Sequence, residues 1–420
     1  MLVNFRVSNF RSFRDEVVFS MVASASKENY NHLRQINKGM SLLPLSVIYG
    51  ANASGKSNLH KAMLFMKRFV LSSLDKRVLE SDPSLQPFRL SVDGENKPAF
   101  FEIVFYINNI FYRYGFEVDK AKVLSEWLYA RHNEPKKHEI CYFYRDNKGK
   151  IRFHRNFFGK VKGIVEKDLV RKDSLLLTVA ANFNVSEAEV ILSAFKNFNF
   201  IGKNIHLPIT VNRIDSKGVQ FVLDFLRIGN VDIDDLKVKK MVFVESSEGE
   251  RKSRPGVIIS SLHKKYDADG REAGNVAFDF VLDESDGTLA LFEFAGPIYD
   301  TIERGAILVV DEMDTSLHPL IVREICNIFL SKKSNPNNAQ LIFTTHDVSL
   351  LRDNFLRRDE VWFLEKDVFG ASHLYSLVEF KRNGKKVRKD ESYEKGYLSG
   401  RYGALPIVGD WILDEQKKQT

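Results

Sequence analysis

Residues 45–57 leave this chain little freedom. Leu45-Ser46-Val47-Ile48-Tyr49 is a short apolar run, and Gly50-Ala51-Asn52-Ala53-Ser54-Gly55-Lys56-Ser57 follows at once. Leu59, Ala62, Met63, Phe65, Met66, Phe69 and Val70 then recur at helical spacing. A strand that passes through a G-x-x-x-x-G-K-S loop into an amphipathic helix belongs in a buried parallel sheet. The expected fold class is therefore α/β.

The residue types in the loop suit a polyphosphate. Gly50 and Gly55 let the backbone curl so that its N–H groups face an anion, with Asn52 and Ser54 between them. The helix that follows points its positive end at the same place. Lys56 is placed to bridge β- and γ-phosphates, and the Ser57 hydroxyl to ligate Mg²⁺. ATP and Mg²⁺ are the expected ligands.

Two later stretches extend this reading. Ala306 to Val310 is uninterrupted and apolar, and it ends on Asp311-Glu312. Carboxylates at the end of a buried strand are costly unless they do chemistry. Asp311 is expected to hold Mg²⁺ through its water shell and Glu312 to orient or deprotonate an attacking water. Gln340 to Thr345 is another buried-strand pattern and ends on His346-Asp347, where an imidazole can hydrogen-bond a γ-phosphate. Glu284-Ser285-Asp286-Gly287-Thr288 precedes a helical pattern, and Ser285 and Gly287 at a helix start make an anion-binding end.

Asp311 lies 255 residues beyond Lys56, more than a compact nucleotide-binding core needs. A substantial insertion is expected, and without heptads it reads as a compact lid rather than a coiled-coil arm. Residues 1–156 read as the first half of the head, with strands paired about Asn9–Phe13 and a hairpin at Asn108-Asn109. Residues 157–250 read as a mostly helical insertion, with Val185–Phe198 and Val219–Leu226 as helices. Residues 251–420 read as the second half, with β runs at Val257–Ile259 and Val276–Phe280. Glu245 to Pro255 is polar and charged and reads as a loop.

The chain has 420 residues, a net charge of +7 and two widely separated cysteines, Cys141 and Cys326. The mild basic bias permits nucleic acid without requiring it. The cysteines make no metal or redox pattern, which suits a reducing cytoplasm. No signal peptide opens the sequence, and no apolar run approaches the roughly 20 residues that span a bilayer, so no membrane role is expected. Basic clusters stand at Lys237, Lys239 and Lys240, at Arg251, Lys252 and Arg254, and at Lys381, Arg382, Lys385, Lys386, Arg388 and Lys389. The last precedes Tyr393, Tyr397, Gly400, Arg401 and Tyr402, and is open to nucleic acid phosphates or to an acidic partner.

With Asn9-Phe10-Arg11-Ser12-Phe13 as an N-terminal strand motif and Gly50–Ser57 as the phosphate loop, the chain resembles the ABC-type ATPase heads of the SMC, RecF and OLD group. More closely it is similar to stand-alone abortive-infection ATPases of the RloA and AbiL type, with the PtuA and AriA phage-defence ATPases as looser relatives. That resemblance rests on Glu284–Thr288, Asp311-Glu312-Met313-Asp314-Thr315-Ser316-Leu317-His318-Pro319, Thr344-Thr345-His346-Asp347 and Gly400-Arg401-Tyr402-Gly403-Ala404-Leu405-Pro406. It implies an ATPase head in which the helix start at Ser285 and Gly287 meets the γ-phosphate on a second copy, so that ATP joins a homodimer or higher oligomer. It implies phage defence with a separately encoded effector, often a nuclease. Gln86 is the candidate for the glutamine that joins Mg²⁺ to the lid. The signature stretch lacks the transporter form Leu-Ser-Gly-Gly-Gln, and no Toprim-like nuclease segment follows His346. A DNA-repair ATPase of the RecF and SMC kind is the alternative.

Overall fold

The computed structural model describes residues 1–405 apart from 27, 76–77, 203–206, 248–249 and 383–384; at 156, 158, 207, 243–247, 250–255, 382 and 385 only the backbone is described. The chain begins with strands β1 (Leu2–Ser8) and β2 (Val17–Ser20), a small hairpin β3 (Arg34–Asn37) and β4 (Met40–Leu42), and then β5 (Leu45–Gly50). Helix α1 (Lys56–Ser72) follows the glycine loop, and its buried side chains include all seven apolar positions read from the sequence. After the short α2 (Val78–Ser81) come β6 (Ala99–Ile107), β7 (Ile110–Val118), β8 (Val123–His132), β9 (Ile140–Arg145) and β10 (Ile151–Phe153). Asn108 and Asn109, both at positive φ, make the β6–β7 turn, because a two-residue hairpin needs left-handed backbone that Asn tolerates.

The next stretch is helical first: α3 (Arg155–Glu166), α4 (Leu176–Asn182), α5 (Ser186–Lys196), strand β11 (Phe198–Ile201), α6 (Leu207–Lys217) and α7 (Gln220–Ile228). A long antiparallel sheet follows, made of β12 (Asp235–Ser247), β13 (Glu250–Tyr266) and β14 (Glu272–Asp279). The expected loop over Glu245–Pro255 is thus a correction. Backbone pairing continues through it, from Val242 opposite Pro255 to Ser247 opposite Glu250. Backbone pairing needs no apolar alternation, so the polar composition misled. The boundary at 250 falls inside this sheet. The second half adds α8 (Asp286–Arg304), β15 (Ile307–Val310), α9 (Pro319–Leu330), β16 (Gln340–Thr344), β17 (Val361–Lys366), β18 (Ser372–Ser376), the small pair β19 (Lys381–Arg382) and β20 (Lys385–Lys386), and α10 (Tyr393–Leu398).

Two large sheets organise these elements. One is antiparallel, in the order β10-β9-β8-β7-β6-β1-β2. The other runs β11-β15-β16-β5-β17-β18, parallel except for β18. Side chains of the parallel sheet alternate between two cores. Ile48, Val309, Ile342 and Trp362 face the core shared with α1, α4, α5 and the antiparallel sheet. Val47, Tyr49, Val310, Phe343 and Phe363 face the core shared with α6 to α10. Burial on both faces is why these strands read as unbroken apolar runs. Gln340, fully buried, ties the sheets together: its amide accepts from the Leu2 N–H at 2.5 Å and donates to the carbonyls of Leu2 and Leu43.

The C-terminal aromatics belong to the second core. Tyr397 packs on Tyr49 and Phe363, and Tyr402 on Phe363 and Phe380. Tyr393, Tyr397 and Tyr402 are buried. Lys237, Lys239, Lys240, Lys381, Lys386, Arg388 and Lys389 are exposed, whereas the side chains of Arg251, Lys252, Arg254, Arg382 and Lys385, and Pro406, lie outside the described residues. Among the described residues no helix is long and apolar enough to cross a membrane.

Candidate functional site

The parallel sheet presents the C-terminal ends of β5, β15, β16 and β17 on one edge, and the predicted residues gather there. Gly50 ends β5, where a Cβ would stand 2.4 Å from the Leu364 carbonyl oxygen and 2.5 Å from Ser54 Oγ. Gly55 has φ of 115°, and a side chain there would meet Ser372 Oγ at 2.4 Å and Ser12 Oγ at 2.9 Å. These contacts explain both glycines better than conformational freedom alone. A polar belt backs the loop. Ser372 Oγ donates to the Ser54 carbonyl at 2.6 Å and lies 2.8 Å from Ser12 Oγ, which also accepts from Asn58 Nδ2 at 2.8 Å. The Asn9–Phe13 turn thereby holds the loop from beneath.

Lys56 is buried, and its Nζ donates to the carbonyls of Gly50 at 2.6 Å and Ala51 at 3.1 Å. Burial lowers its pKa, opposed by attraction to Glu312, Asp311 and Asp314. Ser54 Oγ is buried without a hydrogen-bond partner among the described residues. A folded-back cation and an unpaired hydroxyl fit a loop shaped for a polyphosphate.

The acidic pair is organised by Thr344, which terminates the neighbouring strand. Its hydroxyl donates to Asp311 Oδ1 at 2.9 Å and accepts from the Glu312 N–H at 2.7 Å. Glu312 sits at φ of 57°, a left-handed backbone that turns its side chain out of strand register. Asp314 Oδ2 accepts from the His346 N–H at 3.1 Å, linking the acidic loop to the histidine. The outcome is one cavity of about 210 Å³ lined by residues 51–58, Glu312, His346 and Lys366. Ser57 and Asp311 fit Mg²⁺ only with phosphate oxygens completing its shell, since no cluster of three His, Cys, Asp or Glu suited to a metal exists among the described residues.

Gly50 and Asp311 adjoin residues that line this cavity without lining it themselves, and three further predicted residues stand apart from it. Ser285 caps α8, accepting from the Thr288 N–H at 3.2 Å, and is exposed. Gly287 faces the Ser316 carbonyl, 3.5 Å from where a Cβ would stand. Gln86 lines a separate cavity with Arg89, Lys97 and Lys120, and its side-chain amide donates to the Pro83 carbonyl at 3.0 Å. Conversely, sequence reasoning missed Thr344 and Lys366. Lys366 closes β17 beside the phosphate loop, and its signal was a cation two residues past the apolar run Val361–Leu364.

No curated protein matches the chain. Two solved structures are similar to it, those of the recombination mediator protein RecF-ATPrS and RecF-ATP in the RecFOR pathway. Each is 12% identical; they cover 89% of this chain and 98% and 97% of theirs, with TM-scores of 0.31 and 0.33, superpositions too loose to carry a conclusion. One family pattern spans residues 45–352, from the first residue of β5 past the histidine, and so takes in every residue that lines the cavity except Lys366. This chain, an α/β P-loop ATPase head, belongs to that AAA_21 family, described as "AAA domain, putative AbiEii toxin, Type IV TA system".

Proposed function

We propose that the protein hydrolyses ATP as an ABC-type switch, pairs with a second copy across two ATP molecules, and controls a separately encoded effector in defence against phage, in the manner of RloA- and AbiL-type ATPases. One observation carries this reading. Lys56, Glu312 and His346 share a single cavity, while Ser285 and Gly287, at the start of α8, stand outside it with Ser285 open to solvent. A site that holds the phosphate loop, the base and the histidine but lacks its signature serine is half a site. A second copy supplies the other half.

Lys56 binds the β- and γ-phosphates once it leaves the Gly50 and Ala51 carbonyls. Glu312, held by Thr344, orients the attacking water and takes its proton. His346 hydrogen-bonds the γ-phosphate, and Lys366 adds a second cation at the cavity wall. Ser57 and Asp311 would hold Mg²⁺, which neutralises charge on the phosphate oxygens. The family's toxin-system description supports the defence setting.

The test is the Glu312→Gln variant, expected to bind ATP and accumulate as a dimer with negligible turnover, alongside Lys56→Ala, expected to lose nucleotide binding. Wild-type turnover by Glu312→Gln sinks the assignment. Hydrolysis by the isolated protein that rises severalfold with DNA moves the reading to a repair ATPase.

A further inference from the structure

The β12–β14 sheet has no part in the site as described, yet it is fastened to the residue before Ser285. Ser261 and His263 lie on one face of β13, with Leu236 and Phe278 opposite Ser261 and Val276 opposite His263. Glu284 Oε1 accepts from Ser261 Oγ at 2.5 Å and lies 2.7 Å from His263 Nε2. The imidazole rests against Phe278, ring centroids 4.7 Å apart. Ser261 is fully buried, and the Glu284 side chain is only 9% exposed.

Each member needs the others. A buried hydroxyl and a nearly buried carboxylate are costly unless they meet, and bonds to a carboxylate are the strong ones. The connection they fasten is short. Phe280, packed on Phe292 of α8, ends the strand side; Asp279 and Asp283 close a turn on each other, with the exposed Val281 and Leu282 between them; Glu284 is then tied to the sheet, and Ser285 caps the helix immediately after. Helix α8 itself packs on α6 and α7. That packing and the tie to the sheet together set where Ser285 and Gly287 stand.

We propose that Ser261, His263 and Glu284 form a clamp that positions the signature turn, so that the three-stranded sheet governs how well one copy engages the ATP of the other. This inference rests on the reading that Ser285 and Gly287 meet the nucleotide of a second copy. The three are positioning residues; none lines the cavity of its own chain.

The experiment uses the full chain carrying Glu312→Gln, with His263→Ala, Glu284→Ala or His263→Gln added. Light scattering gives the protein concentration at half-dimerisation in saturating ATP. A fluorescent ATP analogue, at protein concentrations where the chain is monomeric, gives affinity for the phosphate loop. Loss of one charge-assisted bond per copy is expected to raise the half-dimerisation concentration roughly tenfold or more. Monomer affinity should stay within about twofold, the limit for distant sites. His263→Gln, which keeps a donor toward Glu284, should recover most of the loss. The clamp is overturned if the alanine variants dimerise like the parent. It is equally overturned if they weaken monomer ATP binding as much as dimerisation and glutamine gives no rescue. Absence of any ATP-dependent dimer in the parent instead overturns the underlying two-copy reading, and the clamp with it.

Discussion

Replacing Thr344 by Val removes one hydroxyl and keeps the shape of the side chain. The position is 3% exposed, and the hydroxyl makes two bonds, 2.9 Å to Asp311 Oδ1 and 2.7 Å from the Glu312 N–H. Leaving a buried donor unpaired costs about 1–3 kcal/mol, and a lost bond to a carboxylate costs a similar amount. The two share one hydroxyl and do not add fully, so a loss of roughly 2–4 kcal/mol in unfolding free energy is expected. Catalysis should suffer more specifically. Glu312 stands at φ of 57°, and its N–H bond to Thr344 helps hold that backbone. A misplacement of about 1 Å costs on the order of 100-fold in rate. The phosphate loop is untouched, so ATP affinity should change by less than about threefold, within the scatter of independent sites. Steady-state phosphate release, equilibrium nucleotide binding and urea denaturation measure the three quantities. Thr344→Ser restores the hydroxyl and forfeits a methyl group worth about 1 kcal/mol, so its kcat should lie near wild type. A valine variant with wild-type kcat refutes the idea that this hydroxyl organises the acidic pair.

Gly50→Ala should weaken ATP binding and destabilise the fold together, because the new methyl meets the Leu364 carbonyl oxygen of β17 at 2.4 Å and sheet backbone must shift; isothermal titration and urea denaturation check the two effects. Tyr397→Ala should destabilise by about 3–5 kcal/mol and raise KM, since its ring packs on Tyr49, the residue before Gly50; urea midpoints and Michaelis plots report both. Burial lowers the Lys56 pKa, so folding holds that proton less tightly than the unfolded chain does. The charged amine thus opposes folding at neutral pH, and the penalty fades as pH rises toward the ordinary value of 10.5. Without nucleotide, Lys56→Met should match or exceed wild-type stability at pH 7, with its advantage shrinking at alkaline pH; thermal melts across that range test the sign.

The parts of the molecule legible in the sequence are those whose pattern and position agree locally. Strand β5, its glycine loop and the α1 stripe form one contiguous signal, and β15 and β16 are apolar because both faces are covered. Contacts between distant segments left no such trace. Ser12 and Ser372 meet beneath the loop across 360 residues, and neither residue type is unusual where it stands. Thr344 looks like the polar end of a strand until its partners just beyond β15, Asp311 and Glu312, are seen. The β12–β13 ribbon hid for a different reason: its backbone pairs through a polar, charged stretch of sequence that carries no apolar period. Tyr393, Tyr397 and Tyr402 follow the densest basic cluster in sequence and yet are core residues, a placement that their charged neighbours hid.

The belt under the phosphate loop has a consequence for synthesis on the ribosome. The loop itself is made early, at residues 50–57, but Ser372, which holds the Ser54 carbonyl, and β16 and β17, which flank β5, come more than 280 residues later. Until they emerge, β5 has neither neighbour and the nucleotide pocket has no walls. A nascent or truncated chain therefore carries the whole phosphate-binding sequence without a working pocket, and ATP can act only on a chain translated past Ser372.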